Sequence, residues 1–197
     1  MIIGLDFDNT IVCYDRAIDI LASKYLRIPR GLPTTKLDIR DHLKTHDREA
    51  DWTRFQGLLY GPGMAHAELY NEAREVISEL RHAGHKIRVI SHRTRFPYLG
   101  EKYDLHYYAR AWIEEKIPEI AEEVTFYHSN AQKLKAITET SCTLFLDDLP
   151  QVLTDSTFPT STIRVLFSPC GPNMAWEGEQ INSWRELDGL VLRHAQA

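Results

Sequence analysis

The sequence predicts an α/β protein: a parallel β-sheet with helices on both faces, interrupted by one all-helical insertion. Three observations predict it. From about residue 66, short apolar runs alternate with amphipathic stretches of helical length. Several apolar runs, the one at residues 1–5 included, end on polar residues able to do chemistry, notably Asp6, Ser91 and Asp147. Between residues 12 and 64 no strand pattern occurs, and the apolar spacing is helical.

The elements follow in order. Met1–Leu5, with β-branched Ile2 and Ile3, reads as a buried strand stopping at Asp6. Asp8-Asn9-Thr10 then turns the chain, and the same tripeptide also reads as a simple turn and helix cap. Ala17, Ile18, Leu21, Ala22 and Tyr25 give one helix over Asp15–Leu26, which the segment from Ile28 to Pro33 breaks. Thr34-Thr35 can cap a second helix to about Lys44. Asp47 can cap a third, with Trp52, Phe55, Leu58 and Leu59 as its stripe. Gly61-Pro62-Gly63 closes that block.

Beyond it, Ala67–His82 is read as a helix ended by Gly84, followed by a strand Lys86–Ile90 and a loop Ser91–Gly100. A helix over Tyr103–Lys116 leads past Pro118 into a strand Glu123–Tyr127. Then come a helix Asn130–Thr140, a strand Thr143–Leu146, a short helix near Leu149–Leu153 and a strand Thr162–Phe167. Residues 168–179, rich in Gly, Pro and Asn, read as loop, and Ile181–Leu192 as a last helix facing the core through Trp184 and Leu187.

The 197 residues suffice for one domain plus a modest insertion, and 43% hydrophobic with 26% charged residues is ordinary for a globular chain. A net charge of −5 leaves no electrostatic footprint for a nucleic-acid polymer. No apolar run approaches the ~20 residues that span a bilayer. With Met1 entering a strand directly, no cleavable signal is expected, and Cys13, Cys142 and Cys170 show no C-x-x-C pairing. A cytoplasmic protein with reduced thiols, bound to no membrane, is the expectation. His42/His46 and His82/His85 have ligand spacing but no H-E-x-x-H context, and neither P-loop nor dinucleotide fingerprints occur.

The chemistry is concentrated at the ends of the apolar runs. Asp6 and Asp8 are two charges at the end of a buried strand, costly unless a cation or hydrogen bonds compensate them. A hard cation such as Mg²⁺ suits that position. In order, the chain offers Asp6-x-Asp8-x-Thr10, then Ser91, then Lys133 or Lys135, then Asp147-Asp148. Ligands of parallel sheets bind at the carboxyl ends of the strands, where all four pieces fall.

That ordered set resembles the haloacid dehalogenase (HAD) superfamily of phosphohydrolases over roughly residues 1 to 167. The resemblance implies a Rossmann-like core of residues 1–11 and 65–197, with residues 12–64 as a small helical cap hinged near Asp8-Asn9-Thr10 and Gly61-Pro62-Gly63. It implies a Mg²⁺-dependent phosphomonoester hydrolase that passes through an aspartyl-phosphate and acts on a small phosphorylated metabolite. Asp6 would be the nucleophile and Asp8 the general acid–base. Ser91, His92 and Lys133 would bind phosphate, and Asp6, Asp8, Asp147 and Asp148 would hold the metal. Lys133 shares a helical face with Ile137, which favours it over Lys135. Arg93 and Arg95 are candidate substrate contacts, as are Trp52 and Phe55, although the latter stripe also reads as cap core.

Other readings stay open at this point. They are a 5′-nucleotidase-type phosphatase, phosphoryl transfer by the same chemistry, and a non-catalytic HAD-like protein. A receiver-like phosphate-binding domain is a further one, but the strand ending at Tyr127-His128-Ser129 lacks the acid a receiver needs.

Overall fold

The computed structural model describes residues 1–28, 35–173 and 175–195. Its elements begin with β1 (Ile2–Leu5), β2 (Val12–Cys13), α1 (Asp15–Tyr25), α2 (Lys36–Thr45) and α3 (Glu49–Tyr60). Next come β3 (Glu68–Leu69), α4 (Ala73–His82), β4 (Lys86–His92), α5 (Leu105–Lys116) and β5 (Val124–Tyr127). The chain ends with α6 (Asn130–Glu139), β6 (Leu144–Asp147), α7 (Pro150–Leu153), β7 (Ile163–Phe167), β8 (Glu179–Ile181) and α8 (Trp184–Ala195). Two compact units result. One is Met1–Val12, Leu69–His92 and Ile117–Ala197; the other is Cys13–Glu68 and Arg93–Lys116.

The first unit is built on a six-stranded sheet of order β5-β4-β1-β6-β7-β8, with every pairing parallel. β1 lies at its centre: Leu5 is in register with Val89 of β4 and with Leu146 of β6. Burial of central parallel strands is why β1 and β6 read as continuous apolar runs rather than as alternating ones. Gly4 is required by close approach, since a Cβ there would lie 2.4 Å from Cδ2 of Phe145. Beneath it Leu134, Ile137, Phe145, Leu153 and Leu166 form a buried cluster. The Trp184 indole N–H donates to the Thr10 carbonyl at 3.0 Å, tying α8 to the turn after β1.

Four expectations change here. The span from residue 12 to 64, expected to hold no strand, opens on β2, which pairs with β3 in a separate two-stranded sheet. β8 adds a strand where a loop running into a helix was expected. It is three residues long and pairs only with β7, so its strand state comes from that partner and not from a pattern of its own. The helix expected over Ala67–His82 starts only at Ala73, because Glu72 adopts the left-handed conformation (φ 63°). Asp47 does not cap α3: it too is left-handed (φ 54°), and its N–H closes the end of α2 on the Lys44 carbonyl at 3.1 Å. Thr35 does cap α2, accepting from the Asp38 N–H at 3.2 Å. The expected break from Pro29 to Pro33, and Thr34 of the cap pair, lie outside the described residues.

The second unit is helical. α1 buries Ala17, Ile18, Leu21 and Ala22, while α3 buries Trp52, Phe55, Gly57 and Leu59. It also includes residues 93–116, which the alternating pattern had grouped with the sheet. The stripe of α5, Leu105, Ala109, Trp112 and Ile113, is legible as a buried face, but periodicity does not say against what it packs. The Trp112 indole N–H donates to the Ala67 carbonyl at 3.1 Å, and Arg93 is held as described below. Trp52 and Phe55 (ring centroids 6.0 Å apart) belong to the core of this unit. Among the described residues no helix is long and apolar enough to cross a membrane.

Candidate active site

The site is assembled at the carboxyl end of the central strands. The register of β1 and β6, continued by one residue, sets Asp6 beside Asp147, and the Asp6 N–H donates to the Leu146 carbonyl at 2.9 Å. After β1 the chain turns sharply: Asn9 is left-handed (φ 59°), and the Ile11 and Val12 N–H groups both donate to the Phe7 carbonyl at 3.0 Å. Asp8 sits on this turn, half-buried.

α6 supplies the cation. Ser129 caps the helix by accepting from the Gln132 N–H at 3.2 Å, which starts the helix one turn before Lys133. Lys133 lies on the buried face with Leu134, Ala136 and Ile137 and is only 2% exposed. Its Nζ donates to Asp6 Oδ1 at 2.7 Å and to Asp147 Oδ2 at 2.6 Å, over the face of Phe145 (5.4 Å to the centroid). Lys135 points the other way, exposed, and pairs with Glu139 at 3.4 Å.

Asp147 is fully buried, and its second oxygen accepts from the Leu149 N–H at 2.9 Å. Burial pushes its carboxyl up to about 6; Lys133 opposes the rise and Asp6 adds to it. Burial would lower the Lys133 ammonium, but Asp6 and Asp147 outweigh it and hold the group above its ordinary value.

Carboxylate oxygens of Asp6, Asp147 and Asp148 lie within 4.8 Å of one another. One ammonium cannot neutralise three acids at that spacing, so this donor set fits a hard divalent cation bound through oxygen. No other group of three such donors is found among the described residues: His46 Nδ1 bonds the His42 carbonyl (2.8 Å), and His82 Nδ1 bonds the Ser78 carbonyl (2.7 Å). Three free cysteines are present among the described residues; the buried Cys142 thiol is pushed up to about 11 by desolvation.

Ser91 and His92 close β4, in register with Phe126 and Tyr127 of β5. Ser91 is fully buried, and its hydroxyl makes no hydrogen bond with a described residue. Thr10, the last residue of the Asp6-x-Asp8-x-Thr10 set, shares that state: it is fully buried, and its hydroxyl makes no hydrogen bond with a described residue. Buried hydroxyls without partners are uncommon and point to a ligand or solvent atom.

Arg93 and Arg95 belong to the helical unit. Arg93 is 3% exposed; its guanidinium donates to the carbonyls of Tyr60 (2.6 Å) and Leu105 (3.2 Å) and to the Tyr14 hydroxyl (3.4 Å). These bonds join the ends of α3 and α1 to the start of α5, which is the work of a structural arginine rather than of the expected substrate contact. Arg95 is exposed and bonded to Asp104 at 3.0 Å.

The chain matches solved structures along nearly its whole length. A predicted phosphoglycolate phosphatase from Haemophilus somnus superimposes with a TM-score of 0.62 at 12% identity, covering 96% of this chain and 97% of that one. A predicted phosphatase from Clostridium acetobutylicum gives 0.62 at 13% identity, covering 97% of each. A HAD-family hydrolase from Deinococcus radiodurans, with bound phosphate and sodium, gives 0.58 at 14%, covering 98% and 95%. No family model matches the sequence, and no curated protein does. The chain therefore has the fold of the haloacid dehalogenase superfamily of hydrolases and phosphatases.

Removing divalent ions tests the acid cluster without reference to turnover. A carboxyl raised in the folded state binds protons there that the unfolded chain has lost. Its contribution to stability is therefore present at low pH and disappears as pH rises from the unfolded value, 3.8, through about 6. A divalent cation held by the ionised form would oppose that loss. Added Mg²⁺ should raise the melting temperature clearly at neutral pH and much less at about pH 5. Equal shifts at both pH values would count against a metal held by Asp147.

Proposed function

We propose that this protein is a Mg²⁺-dependent phosphomonoester hydrolase working through an aspartyl-phosphate on Asp6. The observation that carries the reading is the buried Lys133 ammonium bridging Asp6 and Asp147 inside the acid cluster. Such a cluster suits a site that must hold a phosphate dianion beside a carboxylate nucleophile. Mg²⁺ bound by the Asp6, Asp147 and Asp148 side chains, and by Asp8, would neutralise phosphate charge there.

The residues divide the work. Lys133 orients Asp6 and offsets its charge, leaving the other carboxylate oxygen to attack phosphorus. As the phosphorus–oxygen bond to the leaving alcohol breaks, Asp8 gives that oxygen its proton. Asp8 then takes a proton from water, which attacks the aspartyl-phosphate, releases inorganic phosphate and restores Asp6. The Ser91 hydroxyl, buried and unbonded, is free to donate to a phosphoryl oxygen at the end of β4. The helical unit would act as the cap that shields this chemistry from bulk water. The substrate is a small phosphorylated metabolite.

The experiment is phosphate release from an aryl phosphate and from a panel of sugar phosphates and nucleotides. Activity should require Mg²⁺ and vanish on thorough chelation; activity that survives chelation refutes the metal role. Asp8→Asn should slow turnover by ~10²–10⁴-fold, the usual range for a lost general acid–base, while leaving the Mg²⁺-dependent melting shift largely in place. A variant with unaltered turnover removes Asp8 from the mechanism.

A further inference from the structure

The helical unit contains an open cavity of about 820 Å³, which falls in the size range of small-molecule sites. All its lining residues belong to that unit, so it is described independently of the acid cluster. Arg48, just before α3, and residues 51, 55 and 58 of α3 line it, a spacing that places them on a single helical stripe. Leu26, Phe55 and Leu58 make the apolar part of the wall, with the Tyr25 and Tyr103 rings beside them. Gly100, left-handed at φ 91°, brings the loop backbone against α3, where a Cβ would stand 3.4 Å from Cγ of Arg54.

The charges in this wall are unequal. Arg27, Arg48 and Arg54 face Asp51 and Glu101, a surplus of one positive charge. Asp51 is taken by two of them, accepting from Arg48 Nε at 2.8 Å and from Arg54 Nη1 at 3.4 Å. Arg48 also donates to the Arg27 carbonyl at 2.9 Å, which braces the end of α1 against α3. Among the described residues the Arg27 guanidinium has no bonding partner, although it lines a cavity with aromatic and aliphatic side chains in its wall. Guanidinium beside aromatic rings and aliphatic side chains is the chemistry that receives a planar or apolar body bearing an anionic group.

We propose that the helical unit carries a ligand site of its own, between α1, α3 and the Gly100–Tyr103 loop, for a small anion with an aromatic or apolar body. The site stands apart from the phosphatase reading and survives its failure. It neither needs a metal nor uses any residue of the acid cluster.

The test uses the full-length protein and 1-anilinonaphthalene-8-sulfonate, a fluorescent aromatic sulfonate. Titration should give saturable binding of one probe per chain, weakened by added salt. N-phenyl-1-naphthylamine, the same aromatic body without the sulfonate, should bind at least several-fold more weakly. Arg27 is at the surface, so Arg27→Ala should fold normally and weaken the sulfonate several-fold, while Arg16→Ala, whose partner Glu68 lies elsewhere, leaves it unchanged. Leu58→Asp should abolish binding, with a thermal melt showing the variant folded. Asp6→Asn should bind the probe as the wild type does. Unsaturable binding, equal affinity for the two probes, or indifference to Arg27→Ala overturns the proposal.

Discussion

Replacing Asp6 by Asn should remove phosphate release almost entirely while leaving a folded protein. The substitution deletes the attacking oxyanion and a metal ligand in one step. Asp147 is fully buried and already bonded to Lys133 and the Leu149 N–H. Loss of a nucleophile costs on the order of 10⁴–10⁶-fold in turnover, because the remaining groups can only bind and polarise substrate. The fold should tolerate the change: the amide is isosteric, and its carbonyl oxygen can still accept from Lys133. Single-turnover phosphate release and a thermal melt, run together, separate the two effects. Near wild-type turnover in Asp6→Asn means that the nucleophile lies elsewhere.

Lys133→Met should be the most destabilising single change at the site. The methionine fills most of the volume, but Asp6 and Asp147 are left buried side by side with no counter-charge. Breaking a buried ion pair by removing one partner costs about 3–5 kcal/mol. The deficit should be largest at neutral pH and should shrink on acidification, as the orphaned carboxyls take up protons. It should also shrink with added Mg²⁺. Lys135→Met is the matched control, since its exposed pair with Glu139 is worth only ~0.2–0.5 kcal/mol. Chemical denaturation in EDTA at two pH values measures both. A loss for Lys133→Met no larger than for Lys135→Met would remove the buried triad from the account of the site.

Much of this architecture is a local property of the chain. β1 and β6 are buried on all sides, so their apolar runs and their terminal carboxylates stand out without any knowledge of partners. The same is true of Lys133: within α6 it shares a face with Ile137, and a lysine on a buried face has to meet an acid. Sequence order alone then brings Asp6, Ser91, Lys133 and Asp147 to one edge, because parallel strands all end on the same side.

What the sequence could not decide were the matters that depend on a partner distant in the chain. β8 has no strand pattern and exists through its pairing with β7. The destination of α5 was hidden because an apolar stripe records that a face is buried and not what covers it. Arg93 looked like a ligand group in a basic loop, but carbonyls from Tyr60 and Leu105, 33 and 12 residues away, take up its donors. The unbonded hydroxyl of Thr10 likewise follows from burial at a turn that α8 covers through Trp184, 174 residues on. Local periodicity and strand-end chemistry determined the frame and the reacting groups. Only long-range packing decided which polar side chains are already satisfied within the protein and which are left to meet a ligand.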